Sequence, residues 1–384
     1  MISESDFSDF RPTWCEINLS NLTDNFKSVK NFVGENLSYM AVVKADGYGH
    51  GAVECARTLE KENVEWFGVA LPEEGIELRK AGITRPILCL GGFWHNQANS
   101  LFENRLTPVI FDLESAEKLN LTARTRGEKI NVHVKVDTGM GRLGVRFDAI
   151  SQFAERLKPL ENLRLEGLMT HFATADNLAE NAFTNLQIER FDAAAEIFRE
   201  NGFSPIYKDL ANSPGAIAHP DSRKNLVRLG GVLYGLGGDV LPKEIEKPDL
   251  RAVLSLYSQI SLLKKVPAGE SLGYSRTFVT AKDSIIATVP IGYHDGYPRI
   301  LSNRAGVIVR DKIVPVVGRI SMDWIILDVT DVSDLTVGER VVLIGEQNNL
   351  MITAEDLAVQ AETISYEITC GINHRVRRKY VDSE

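Results

Sequence analysis

Apolar and polar positions alternate in two distinct ways along this chain. Through the first two thirds, short runs rich in apolar and β-branched residues stand at 39–43, 66–70, 86–90, 107–111, 130–136, 165–171, 205–210 and 226–234. Between most of them lie helix-patterned stretches such as 51–61, 72–81 and 179–201. Strands alternating with helices predict parallel βαβ units. Eight such units in about 230 residues predict an α/β barrel of the (β/α)₈, TIM type. A doubly wound open sheet shares the same alternation, because periodicity does not reveal closure. The pattern changes near Pro248. Strand-like runs such as 284–290, 307–309 and 325–328 then follow one another without helices, separated by turn residues. The expected organisation is a barrel over 14–248 and a C-terminal all-β domain over 249–384, with residues 1–13 free to pack on the latter. One late helix is predicted at 353–362, with Thr353 as N-cap and Asp356 three residues on.

Composition narrows the class. A chain of 384 residues has room for two or three domains. Its 44% hydrophobic and 25% charged content is ordinary for a globular protein. The net charge of −9 argues against a nucleic-acid partner. The first residues, Met1 to Phe7, are acidic and polar, unlike a signal peptide. No apolar run is long enough to cross a bilayer, so a cytoplasmic protein with no membrane partner is expected. Cys15, Cys55, Cys89 and Cys370 lack metal-type spacing and read as reduced thiols, with no metal site.

The candidate chemistry falls where a barrel keeps it, at the C-terminal ends of strands. Lys44 ends the first apolar run and opens the string Lys44-Ala45-Asp46-Gly47-Tyr48-Gly49-His50-Gly51. An apolar setting cannot solvate an ammonium, so such a lysine loses its proton more easily. The neutral amine can attack an aldehyde and form a Schiff base. The plainer reading is a solvated lysine at a strand end. Lys135, Asp137 and Arg142 follow the fifth run, in a glycine-rich segment, and His171 ends the sixth. Asn212 and Ser213 precede Pro214, a pattern that caps a helix and seats a phosphate, or simply caps a helix. Arg228 lies between apolar neighbours that disfavour a solvated arginine, leaving a site residue or a structural ion pair. Gly230 and Gly231 let the backbone approach an anion, although paired glycines also serve plain packing. The basic run Arg375–Lys379 reads most simply as a solvated strand face.

The string from Val43 to Gly51 resembles the cofactor-lysine motif of alanine racemases. The likeness extends from Trp14 to Tyr380, with further matching runs at 132–144, 167–176, 227–235, 290–299, 318–323 and 364–378. It implies a homodimeric enzyme that uses pyridoxal 5'-phosphate to interconvert L-alanine and D-alanine, the latter for peptidoglycan. Lys44 would hold the cofactor. Tyr48, Ser213, Gly230, Gly231 and Tyr366 would contact its phosphate, with Asn212 beside it, and His171 would hydrogen-bond the tyrosine of the partner chain or sit beneath the cofactor ring. Arg228 would face the pyridine nitrogen. Arginine does not readily give up its proton, so that nitrogen would stay unprotonated. Racemisation needs a base on each face of the substrate. The resemblance gives Lys44 one face and Tyr274, donated across a dimer interface, the other. On its own, Tyr274 reads as a packed strand tyrosine. Arg142, Met322 and Asp323 would shape the substrate pocket, the latter two from the partner chain. Lys135 matches a lysine that is often carbamylated and pairs with Arg142. Asp176, Tyr293, Arg299, Arg319 and Ile364 match an access corridor.

The chain departs from the family pattern at Ser321, Trp324, His294 and Tyr297, which bear on the corridor. The rival functions are a serine or broad-specificity racemase, a barrel-type pyridoxal phosphate decarboxylase, and a non-catalytic carrier of the cofactor. Arg228 argues against the decarboxylase. The β domain with Tyr274 and Met322-Asp323 argues against the carrier.

Overall fold

The computed structural model describes residues 11–382. The predicted alternation is present and the sheet closes. Strand β1 (Thr13–Asn18) is followed by β2 (Ser38–Val42), β3 (Trp66–Val69), β4 (Ile87–Cys89), β5 (Thr107–Ile110) and β6 (Ile130–Asp137). Then come the short β7 (Val145–Arg146), β8 (Leu163–Met169), β9 (Tyr207–Asp209) and β10 (Leu226–Leu229). Parallel pairing runs β5-β4-β3-β2-β10-β9-β8-β6, and a further β5–β6 pairing joins the two ends. The open-sheet alternative is therefore excluded. Strands β3, β4 and β10 are buried throughout, because helices cover one face and the barrel interior the other. The last run is shorter than its apolar pattern suggested: β10 stops at Leu229, and Gly231–Tyr234 turns as a 3₁₀ helix.

The remaining strands form the second unit: β11 (Leu254–Gln259), β12 (Leu262–Val266), β13 (Ser271–Leu272), β14 (Phe278–Val279), β15 (Ser284–Val289), β16 (Gly306–Val309), β17 (Lys312–Pro315), β18 (Ile325–Asp328), β19 (Arg340–Gln347), β20 (Leu350–Ile352) and β21 (Arg377–Val381). Its main sheet runs β17-β16-β19-β11-β1-β21, with β20 on β19. Strand β1 thus lies in this sheet, antiparallel to β11 and parallel to β21, although residues 14–18 fall on the barrel side of the sequence boundary. Arg11 donates to both carboxylate oxygens of Asp295, at 3.0 and 2.6 Å. The expected packing of residues 1–10 lies outside the described residues. Ala354–Ala361 is a helix capped by Thr353, and Thr353 and Asp356 exchange hydrogen bonds as a capping box.

One reading is corrected. The run 375–379 is not merely a solvated face. Arg378 donates to the carbonyls of Ile372, Asn373 and Val376 and reaches across to Gly49 O at 3.1 Å. Arg375 pairs with Asp295 at 2.9 Å and Asp323 at 2.7 Å. Four facing carbonyls and two carboxylates satisfy these guanidiniums better than water would.

Because β1 is the strand that ties β11 to β21, its core side chains should govern the second domain. Ile17 is fully buried opposite Leu254. Ile17→Ala should cost about 2–5 kcal/mol. Urea unfolding should show a lower midpoint, and a loss under about 1 kcal/mol would contradict this account of β1.

Candidate active site

Lys44 follows β2 by one residue beyond Val43. The backbone then does something the sequence did not announce: it winds left-handed. Ala45 (φ 53°, ψ 49°), Asp46 (φ 52°, ψ 48°), Gly47 (φ 61°, ψ 43°) and Tyr48 (φ 55°) all have positive φ. Each non-glycine residue there costs roughly 1–2 kcal/mol, so the turn survives only if its surroundings enforce it. Val43 O accepts from Gly47 N at 2.9 Å, and the Asp46 side chain accepts from Ala52 N at 2.9 Å. Gly49 closes the turn at φ 85°, where an added Cβ would lie 2.1 Å from Thr369 O. The turn thus fits against the second domain only with glycine at that position.

The turn aims Lys44 and Tyr48 into a cavity of about 480 Å³ at the barrel mouth. This volume is typical of small-ligand sites. Lys135, Arg142, His171, Asn212, Ser213, Arg228, Gly230, Tyr366 and Cys370 share the lining. Tyr366 and Cys370 come from the second domain, on helix Ser365–Gly371. That helix is anchored to the barrel region by Asp239, which accepts from Ser365 N and Oγ at 2.6 and 2.7 Å.

One side of the cavity is a cradle of hydroxyls over glycine. Ser213 Oγ accepts from Gly230 N at 2.9 Å. A Cβ on Gly230 would stand 2.7 Å from the Tyr48 hydroxyl, and one on Gly231 would stand 2.5 Å from the Tyr366 hydroxyl. Burial pushes both phenols upward, so they remain O–H donors. Ser213 also begins helix Ser213–Ala218, whose N-cap Asn212 accepts from Gly215 N at 3.0 Å. Donors therefore converge from three chain segments on one small space.

The opposite side is cationic. Lys44, Lys135, Arg142 and Arg228 line it together. Burial first, then the Arg142 guanidinium, lowers Lys44 below the ordinary lysine range. Burial first, then Arg228 and Arg142, brings Lys135 down to about 8. His171 is depressed well below its usual value, by burial and then by Arg228, and so stays neutral. Such a cluster favours an anionic ligand and leaves amines able to act as bases near neutrality.

Arg228 is almost fully buried and its donors are nearly all committed. One amino group contacts Asp209 Oδ1 and Asp209 O; the other donates to Thr170 O at 2.9 Å and lies 3.3 Å from His171 Nδ1. Both amino groups are thus engaged by the protein, and none of these bonds uses Nε. Asp209 is a residue that sequence reasoning missed. An acid near the end of the predicted strand run 205–210 was the available signal. Burial pushes its carboxyl upward and Arg228 pulls it back, and the direct contact favours the ionised pair. Leu90, Leu143 and Cys370 were missed too, since nothing in their spacing separates them from core positions.

The remaining candidates do not reach this cavity within one chain. Tyr274 is not in a strand: it starts a 3₁₀ turn, Tyr274–Arg276, between β13 and β14, and is 70% exposed. Met322 is 51% exposed, and Asp323 is held by Arg375 at 2.7 Å. Tyr293 N donates to Ser321 O at 3.0 Å, and His294 N to Met322 O at 3.0 Å, so these segments share one face of the second domain. Arg299 is exposed on that domain and Arg319 is half-buried. Ile364 precedes the Tyr366 helix and is exposed, and Asp176 is exposed after β8, near enough to Tyr366 to affect its phenol. Ser321 Oγ donates to Trp324 O at 2.8 Å, which gives that departure a turn-closing role. Tyr297 is fully buried.

Comparisons with known proteins agree with this geometry. Residues 17–237 match the model of the alanine racemase N-terminal domain, and residues 253–380 that of the C-terminal domain. An alanine racemase of Halothermothrix orenii is 44% identical over 372 residues, 96% of this chain and 97% of that protein. One of Geobacter sulfurreducens is 44% identical over 379 residues, 97% of this chain and 98% of that protein. An alanine racemase structure from Clostridium difficile 630 superimposes with a TM-score of 0.92 at 39% identity, covering 98% of this chain and 97% of that one. One from Bartonella henselae, described with covalently bound pyridoxal phosphate, has a TM-score of 0.87 at 28% identity over 97% of this chain and 100% of its own. A closed barrel with a cationic mouth, completed by a β domain, is here the frame of an amino-acid isomerase. More narrowly, the chain belongs to the alanine racemase family and interconverts L-alanine and D-alanine. Among the described residues, no helix is long and apolar enough to cross a membrane.

The Arg228–Asp209 pair should be costly to break from one side. Asp209→Ala leaves a buried guanidinium without its counter-charge and should lose about 3–5 kcal/mol. Asp209→Asn, which still accepts a hydrogen bond, should lose less. Equal denaturant midpoints for wild type and Asp209→Ala would refute the pair's importance.

Proposed function

We propose that the cavity holds pyridoxal 5'-phosphate on Lys44 and that the enzyme racemises alanine with two bases, one from each of two chains. The observation that carries this reading is a single cavity whose lining brings together a lysine of lowered pKa, a hydroxyl-and-glycine cradle and Arg228. When bound, the cofactor supplies an electron sink that acidifies the substrate α-hydrogen.

The residues divide the work. Ser213, Tyr48, Tyr366, Asn212, Gly230 and Gly231 hold the phosphate by donors that stay protonated. Arg228 offers Nε–H to the pyridine nitrogen and keeps its own proton, so it moderates the sink. Thr170 O and Asp209 fix the guanidinium, and His171 stays neutral beside it. Arg142 binds the substrate carboxylate. Lys135, with its lowered pKa, can take up CO₂ as the neutral amine; the resulting carbamate would turn a repelling cation into a partner for Arg142. Lys44 removes or returns the α-proton on one face. The other face needs a second base, and Tyr274 of a second copy serves, with Met322 and Asp323 beside it. Asp176, Tyr293, Arg299, Arg319 and Ile364 border the access corridor. The D-alanine product supplies peptidoglycan synthesis in the cytoplasm.

Borohydride reduction of the loaded enzyme should fix the pyridoxyl group on the peptide that contains Lys44, as read by mass spectrometry. Lys44→Ala should carry no label. A label on Lys135 would overturn the assignment of Lys44.

The shared site is tested by mixing. Lys44→Ala and Tyr274→Ala proteins should each be nearly inactive. In a mixed dimer one site carries both lesions and the other carries neither. Random assortment at equal amounts should restore about a quarter of wild-type activity. If mixed dimers form and no activity returns, Tyr274 does not act across the interface.

A further inference from the structure

The left-handed turn after Lys44 has a brace from a neighbouring loop. Glu74 lies in the first turn of helix Pro72–Lys80, after β3. One of its carboxylate oxygens accepts from Ala70 N at 2.7 Å and Leu71 N at 3.1 Å, which caps its own helix. The other oxygen does not serve that helix. It accepts from Ala45 N at 2.7 Å, the first residue of the left-handed turn and the one bonded to Lys44. A single carboxylate therefore joins the loops that follow two adjacent barrel strands.

We propose that Glu74 is a positioning residue for Lys44: its carboxylate locks the entry to the left-handed turn and so fixes the direction in which the lysine leaves β2. This rests on the reading of Lys44 as the cofactor lysine. Without the brace, Ala45 loses a charge-assisted bond that helps hold it in a disfavoured backbone region. The chain at Ala45 would relax toward ordinary φ, and Lys44 would swing with it. The remaining bonds of the turn begin only at Gly47 N. They reach Ala45 through its carbonyl, which accepts from Gly49 N at 3.0 Å, and leave its N–H to Glu74. Glu74 is also one of the charges that favour the proton on Lys44, opposing burial and Arg142. Its removal would alter both the aim and the basicity of the amine.

The experiment uses the full chain as wild type, Glu74→Ala and Glu74→Gln. Five quantities are read: the melting temperature of the cofactor-free protein, the Kd for pyridoxal phosphate, kcat and KM for L-alanine, and the site of borohydride labelling. Glu74→Ala should weaken cofactor binding about tenfold, the worth of one lost bond to a charged group. Its kcat should fall by a similar factor while KM for alanine changes less than about twofold, because Glu74 does not line the substrate cavity. Glu74→Gln keeps one carbonyl oxygen and should fall between. A lower melting temperature with Kd and kcat unchanged would reduce Glu74 to a helix cap and overturn the proposal. If Glu74→Ala does not fold, Glu74→Gln is decisive: cofactor affinity and kcat equal to wild type would overturn it. A wild-type label away from Lys44 would instead defeat the underlying assignment, whatever the Glu74 variants do.

Discussion

Like charges gathered in a half-buried cavity repel one another and lose their hydration, and the structure around the barrel mouth responds to that constraint. Lys44, Lys135, Arg142 and Arg228 share the cavity, and Asp209 is the carboxylate in direct contact with one of them. In water such charges are screened. At the effective dielectric of a protein surface, a pair about 4 Å apart already interacts with roughly 4 kcal/mol. The amines answer by lowering their pKa, and Lys135 does so to about 8. Arginine cannot answer in that way, so Arg228 is given a counter-ion and carbonyl acceptors instead. What remains is a surplus of positive charge that an anionic ligand relieves. A preference for anions and the lowered pKa of the amines are thus two consequences of one arrangement.

That arrangement depends on a backbone feature that the barrel alone would not maintain. The left-handed turn from Ala45 to Gly49 is costly. It is enforced from both sides: by the barrel loop after β3, and by the second domain, where Arg378 donates to Gly49 O at 3.1 Å and Thr369 packs against Gly49. The second domain also sends Tyr366 over the cradle. Strand β1 sits at the centre of this relation, since it precedes the barrel in sequence yet holds β11 and β21 in the sheet that carries Arg378. The two domains therefore cannot be separated without losing the site.

The barrel was legible because its signal is repeated: the apolar runs have β composition and most intervening stretches have helical spacing. Closure was not legible, since it depends on one pairing between β5 and β6 that no local pattern encodes. At the site, Lys44, Asn212, Ser213 and the glycine pair announced themselves by residue type at strand ends. Asp209 did not, because a carboxylate in an apolar run looks like a strand-edge residue until its arginine is seen. Glu74 was hidden for another reason: its spacing fits an ordinary helix cap, and the second oxygen's bond to Ala45 exists only in three dimensions. Tyr274 was read as a strand residue because it lies in the β domain, whereas Gly273, at φ 72°, turns the chain before it. The basic tail misled by composition, since its arginines satisfy backbone carbonyls rather than solvent.

The same exposure that makes Tyr274 look idle in one chain gives it a role in the proposed pair. Three large apolar or aromatic side chains of the second domain stand open to solvent: Tyr274, Met322 and Trp324 are 70%, 51% and 44% exposed. Burying them against a second copy removes that apolar area from water. It also delivers a phenol to the mouth of a cavity whose own bases all come from the barrel side. In the proposed mechanism Lys44 would serve one face of the substrate's α-carbon, and Tyr274 of a second copy the other. Inverting a carbon centre demands two opposed bases, and a two-fold pair would supply the second by presenting the same surface twice. The exposure of Tyr274 and Met322 in one chain and the need for a second base would then be met by one assembly.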